Sequence, residues 1–145
     1  MADPVDMTTE VVNGVIAAIK AAFPQSDVFE NPVEQGIEEN SFSVRCVKPA
    51  QEQFLGRRYF KSHLIEIVYF PPKGREYTAC YGIAEELFDA LEIITAGNDP
   101  IRGKHFDSRY LEESRALVVT VVYDYYVIRQ DDTAKMQTLH IEWKG

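Results

Sequence analysis

Positive charge is scarce in this chain. Its 145 residues carry 15 Lys and Arg against 23 Asp and Glu, a formal net charge of −8. Nucleic-acid affinity comes mostly from Lys and Arg neutralising phosphates, so this balance argues against a general nucleic-acid binder. Cysteine is scarcer still. Cys46 and Cys80 are the only two, too few for a disulfide framework, and each falls in an apolar-periodic segment where a free thiol acts as a small hydrophobe. No run approaches the ~18–20 apolar residues of a membrane helix. The start, MADPVDMTTE, lacks the basic-then-apolar pattern of a secretory signal, so a soluble, cytosolic product is expected.

Motifs of known chemistry are missing as well. Metal-ligand pairs of the CxxC kind, the phosphate loops GxxxxGK[ST] and GxGxxG, and the nucleophile elbow GxSxG do not occur. The three histidines, His63, His105 and His140, are scattered. The nearest approach to a constellation is His105-Phe106-Asp107-Ser108-Arg109. On a strand, His105, Asp107 and Arg109 would share one face, and a solvated polar face explains them without an active site. No cofactor and no metal are expected.

The chain has the length of one domain and the composition of an ordinary globular protein, 46% apolar or aromatic and 26% charged. One domain over residues 1–145 is expected. Its charge is unevenly spread. Residues 1–43 hold eight acids and one base, residues 44–75 seven bases and two acids, and residues 76–145 thirteen acids and seven bases. A chain acidic at both ends and basic in the middle is able to meet a copy of itself with opposite charges facing. Such complementarity steers association and fixes register more than it adds affinity.

Periodicity divides the chain into eight elements. Val12, Ile16, Ile19 and Phe23 form one stripe, which predicts a helix over Thr8–Phe23 closed by Pro24. A short strand is expected over Asp27–Glu30. The alternation of Phe42, Val44 and Cys46 predicts a strand over Ser41–Val47, ended by Pro49 and a polar loop. Tyr59–Phe70 reads as a strand up to the Pro71-Pro72 turn. Cys80, Ala84, Leu87, Leu91 and Ile94 predict a second helix over Glu76–Ile94. Strands over Lys104–Leu111 and Ala116–Arg129 form a hairpin, and Met136–Trp143 adds a last strand. The order α-β-β-β-α-β-β-β, with strands in runs, predicts an α+β domain with a mostly antiparallel sheet and both helices on one face.

That leaves a second sheet face. In Ala116–Arg129 the positions turned away from the helices read Val118, Thr120, Val122, Asp124, Tyr126, Ile128, which is apolar for a solvated surface. Exposed apolar patches of this kind mark association sites. The strand is also ~43 Å long at ~3.3 Å per residue, longer than a compact small domain needs. A loop or the C-terminal segment covering this face is the plainer alternative.

Several short motifs, taken in order, resemble one known family. They are Glu34-Gln35-Gly36, then Phe42, then Gln51…Leu55-Gly56-Arg57-Arg58-Tyr59, then Ile65-x-Ile67-x-Tyr69-Phe70-Pro71. The opening TTEVVNGVIAAIKAAFP and the closing Val121-x-Tyr123-x-Tyr125…Val127-x-Arg129 belong to the same pattern. Over Thr8 to Glu142 the chain resembles the tail terminator, or tail completion, proteins of phages and prophage-derived contractile particles of Firmicutes. The resemblance implies a homo-oligomeric ring, six-fold in expectation, that assembles in the host cytoplasm on the head-proximal end of the tail tube. Its partners would be itself, the tube and sheath subunits, and a head–tail connector where a head exists. It implies no catalysis, no cofactor, no membrane and no specific nucleic-acid binding.

Two candidate surfaces follow. Arg57, Arg58, Tyr59 and Lys61, with Val118, Val122, Tyr126 and Ile128, are the candidate protein interface. A ring subunit presents one surface to a different surface of its neighbour, and segments of opposite charge suit that. Glu34, Glu38 and Glu39 are the candidate acidic lining of a lumen through which DNA slides. Other readings stay open: a neck or head–tail joining subunit, a small cytosolic enzyme or ligand-binding module on the second sheet face, or a local single-strand site built on the 57–61 cluster and its aromatics.

Overall fold

The computed structural model describes residues 7–30, 39–74, 76–129 and 139–142. Two helices and seven strands follow in the order α1 (Met7–Ala22), β1 (Asp27–Glu30), β2 (Ser41–Leu55), β3 (Arg58–Phe70), α2 (Glu76–Ala90), β4 (Ile93–Ala96), β5 (Asp99–Leu111), β6 (Ala116–Arg129) and β7 (Leu139–Glu142). The strands lie side by side as β1-β2-β3-β6-β5-β4, with β7 paired to β6 beyond the end of β5. Among the described strands, β1–β2 is the one parallel pair. This is the α+β architecture that the sequence predicts, with one short strand added.

The central ladder is β3 against β6, continuous from Arg58↔Ile128 to Tyr69↔Leu117. Side chains alternate faces along a strand, so this register aligns Ile65, Ile67 and Tyr69 with Val121, Val119 and Leu117. Both helices cover that face. From α1 come Met7, Val11, Val12, Val15 and Ile19, and from α2 Cys80 and Leu87, all in one buried cluster. The stripe that faces the sheet is centred on Val11 and Val15; Ile16 and Phe23 are only partly buried. The reason is β4. Helix α1 lies against that strand, and at Gly14 a Cβ would overlap the Thr95 carbonyl oxygen. Only a glycine lets the two backbones approach this closely.

The structure departs from the sequence pattern in α2, in β2 and in β5, which starts at Asp99 instead of Lys104. Helix α2 ends at Ala90, not Ile94. The run Ile93-Ile94-Thr95 is β-branched, which favours a strand, and it alternates, with Ile94 and Ala96 buried and Ile93 and Thr95 exposed. Gly97, at φ 64°, and Asn98 then turn the chain into β5. Strand β2 continues through Pro49 to Leu55, with Pro49 opposite His63. Beyond Val44 no strand pairs with the other edge of β2 among the described residues, so the missing N–H of Pro49 costs no ladder bond there. The third difference is a bulge in β5. The register with β6 shifts between Lys104 and Asp107, and His105 stands there at φ 56°.

Two buried tyrosines of β6 are anchored differently. Tyr123 donates its hydroxyl to the Leu91 carbonyl at 2.6 Å, which satisfies a backbone group just past the end of α2. Tyr125 stacks on His63, with ring centroids 5.7 Å apart, but its hydroxyl has no hydrogen-bond partner among the described residues. Burial pushes both phenols well above the ordinary tyrosine value. His63, 2% exposed, is also tied to the start of α1, its Nε2 lying 3.1 Å from Thr8 Oγ1.

Removing these groups should give different results. Gly14→Ala should cost about 1–3 kcal/mol, because α1 must move off β4, and a lowered denaturant midpoint checks it. Tyr123→Phe should cost about 1–3 kcal/mol by leaving a buried carbonyl unpaired, whereas Tyr125→Phe should lie within about 0.5 kcal/mol of the parent. Equal losses from the two phenylalanine variants in the same denaturation experiment would contradict this assignment.

Candidate assembly surfaces

The β3–β6 ribbon has two distinct ends. At one end the β2–β3 turn carries Gly56 at φ 58°, and Gln53 Nε2 donates to the Gly56 carbonyl at 2.8 Å. This staples the hairpin and presents Arg57 in the turn, exposed. Arg58, Tyr59 and Lys61 are half-buried. They do not form one patch. The register puts Arg58 opposite Ile128 on the face away from the helices, and Tyr59 and Lys61 opposite Val127 and Tyr125 on the helix-facing side. The candidate cluster therefore wraps the tip of the ribbon instead of lying on one side of it.

The face away from the helices is a mosaic. Val122, Tyr126 and Ile128 are half-buried, and Val118, 8% exposed, is already buried within the chain. Tyr126 packs on Phe60 of β3, with centroids 5.1 Å apart. Two ion pairs cross the apolar rows. Arg45 Nε lies 2.8 Å from Glu66 Oε1, joining β2 to β3, and Lys104 Nζ lies 3.0 Å from Asp124 Oδ1, joining β5 to β6. Sequence reasoning missed these four residues. Their signal is opposite charge on the same face of adjacent strands, which becomes visible only when the register is known.

The other end of the ribbon is the β5–β6 turn, Glu112 to Arg115, where Glu112 and Glu113 are exposed. Tyr77 of α2 leans onto it. Its hydroxyl donates to Glu112 Oε2 at 2.8 Å, and its ring lies 4.6 Å from that of Tyr110. That hydrogen bond holds the Tyr77 pKa above the ordinary tyrosine value. Tyr110, Leu111, Glu112, Glu113 and Ser114 line an open cleft of about 400 Å³.

The remaining candidates are dispersed. Glu39 is exposed in the turn before β2, whereas Glu34 and Glu38 lie outside the described residues. His105, Asp107 and Arg109 are all exposed, but the bulge takes His105 out of the alternation that Asp107 and Arg109 keep, so the expected three-residue row is broken. His63 is in the core, and the side chain of His140 lies outside the described residues. Cys80 is buried and Cys46 half-buried, both as free thiols, and burial raises the Cys46 pKa. Among the described residues no group of three or more His, Cys, Asp or Glu side chains is placed to hold a metal ion. No helix among them is long and apolar enough to cross a membrane.

The described surfaces of this α+β domain are thus the charged ribbon tip, the tyrosine-bearing far end and a mixed sheet face. The sequence pattern of the family described as phage tail terminator protein matches residues 10–135, and the chain belongs to that family. Its members are structural proteins of the phage tail that act in virion assembly, and the family is not an enzymatic one. No curated protein matches the sequence. One solved structure superposes with a TM-score of 0.49 at 14% identity, covering 88% of this chain and 99% of its own. A chain from the virion of a native gene transfer agent particle superposes with a TM-score of 0.45 at 12% identity, covering 81% of this chain and 89% of its own.

Proposed function

We propose that this protein acts, as a single domain, as the subunit of a six-fold ring that caps the head-proximal end of a tail tube and its sheath. The ring ends polymerisation and offers the surface on which a head connector docks. It works by contact alone, without catalysis or cofactor. Assembly takes place in the host cytoplasm, on a phage or a prophage-derived contractile particle of the kind found in Firmicutes. The observation that carries this reading is the family match over residues 10–135.

The geometry is consistent with it. Closed rings need heterologous contacts, in which each subunit offers two different surfaces, and the chain carries a basic tip at one end of the ribbon and the base-free helix α2 towards the other. Arg57, Arg58, Tyr59 and Lys61 at the tip, with Val122, Tyr126 and Ile128 on β6, serve as contact residues; Val118 lies on the same face of β6 but is already buried within the chain.

Glu39, with Glu34 and Glu38, lines the lumen in this reading, where negative charge keeps passing DNA from sticking. Particles carrying all three as glutamine should eject DNA more slowly than the parent in a fluorescence ejection assay; an unchanged rate removes the lumen assignment.

The decisive test is a deletion strain examined by negative-stain imaging. Overlong tubes or sheaths are expected, restored to normal length by the gene in trans. Tails of normal length that lack heads would identify a joining subunit instead.

A further inference from the structure

Helix α2 contains no basic residue. Tyr77, Tyr81 and Glu85 follow one another at four-residue spacing and therefore share one face of it. Tyr77 is 51% exposed and Tyr81 72%, and Glu85 is exposed with them. The Tyr77–Glu112 hydrogen bond joins this stripe to the β5–β6 turn, where Glu112 and Glu113 extend the same negative surface beside the open cleft. Bases stand close by, Arg109 on β5, Arg115 in the turn and Lys73 between β3 and α2, so the negative surplus of this surface comes from helix α2 itself. An acidic helix face with two large exposed aromatic rings is an unusual solvent surface. Tyrosine is enriched, and acidic residues depleted, where proteins meet other proteins.

The register fixes where this surface lies relative to the basic tip. Strand β3 pairs Arg58 with Ile128 at one end and Tyr69 with Leu117 at the other, and the β5–β6 turn directly precedes Ala116. At ~3.3 Å per residue the two ends are roughly 36 Å apart. The basic tip and the tyrosine–acid surface therefore cannot meet within one chain. Between chains they can.

We propose that the Tyr77–Tyr81–Glu85 stripe, together with Glu112 and Glu113, receives the Arg57–Arg58 hairpin tip of a second copy of this chain. The inference rests on the ring reading and names the two surfaces that close the ring. The chemistry matches residue by residue. Arginine guanidinium groups stack on aromatic faces and pair with carboxylates through a planar fork of donors. Tyr and Arg are also the residue types that dominate binding energy where interfaces are well packed. Lys61, three residues from Arg58 on β3, adds to the attraction at longer range. A contact from one end of a subunit to the other end of the next is heterologous, the type that closes into a ring when the rotation permits.

A charge exchange tests it. Arg57→Glu with Arg58→Glu reverses the tip, and Glu85→Arg with Glu113→Arg reverses the receiving surface. Each pair alone should weaken ring or cap formation at least ten-fold in sedimentation velocity of the purified protein with tail-tube subunits. Thermal melts near that of the parent establish that each variant folds. All four substitutions in one chain should restore assembly, as should an equimolar mixture of the two variants, which closes alternating rings of even number. Tyr81→Ala should weaken assembly without lowering the melting temperature.

If the tip reversal alone leaves assembly intact, or the four-fold variant assembles no better than its parents, this pairing of surfaces is wrong while the ring reading stands. If the receiving-surface variant still forms rings but no longer caps tubes, that surface faces the tube subunit and the proposal is overturned. Parent protein that neither self-associates nor caps tubes removes the ring reading itself, and this contact with it.

Discussion

The antiparallel ladder between β3 and β6 determines almost everything else in this molecule. It runs without a break through twelve paired positions, and because side chains alternate, one register decision sorts two whole strands. Slipping it by a single residue would turn one strand over against the other, sending either Ile65 and Ile67 or Val119 and Val121 to the outer face and bringing Glu66 or Asp124 beneath the helices. The helices could not then pack, and Tyr123 would lose the Leu91 carbonyl. The same register sets the distance between the two ends of the ribbon. Fold and assembly surfaces thus depend on one set of backbone hydrogen bonds.

Around that ladder the structure uses close approach instead of bulk. Helix α1 sits on β4 through Gly14, and β5 passes under the end of α2 through Gly103, whose N–H donates to the Glu92 carbonyl at 2.7 Å. A Cβ at Gly103 would come within 2.8 Å of the Leu91 carbonyl oxygen and of Val121 Cγ2. These glycines let two helices and a short hairpin share one face of a narrow sheet. The outer face, having no helix of its own, is left to mix apolar rows with the Arg45–Glu66 and Lys104–Asp124 pairs. Such partly exposed pairs contribute modestly to stability; their larger effect is to hold neighbouring strands in register.

The elements with strong periodicity were legible before any coordinates. Helix α1 and strands β3 and β6 repeat their apolar positions often enough that position and type follow from pattern alone. The misses share a cause, which is that tertiary context overrode a local signal. Pro49 reads as a strand terminator until β2 is seen to be an edge. Ile94 fits a helical stripe and reaches the same core from a strand, because either path puts its side chain under α1. His105 loses its alternation to a bulge that no residue type announces. The candidate site was half legible. The charge of Arg57, Arg58 and Lys61 and their place at a turn could be read directly. The wrapping of that charge round the ribbon, and the tyrosine–acid surface formed jointly by α2 and the β5–β6 turn, depend on pairings between distant segments.

Pro49 has one more effect, on what copies of this chain do not do. The edge of β2 beyond Val44, unpaired among the described residues, is the kind of template on which another strand can grow, and identical edges stacking this way extend into fibres without limit. Here the edge offers no donor at Pro49, shifts register beside Val47, and carries the charges of Arg45 and Lys48. A second strand finds no uninterrupted ladder to copy. The most obvious route to endless strand-on-strand polymerisation is thus blocked by the chain's own backbone.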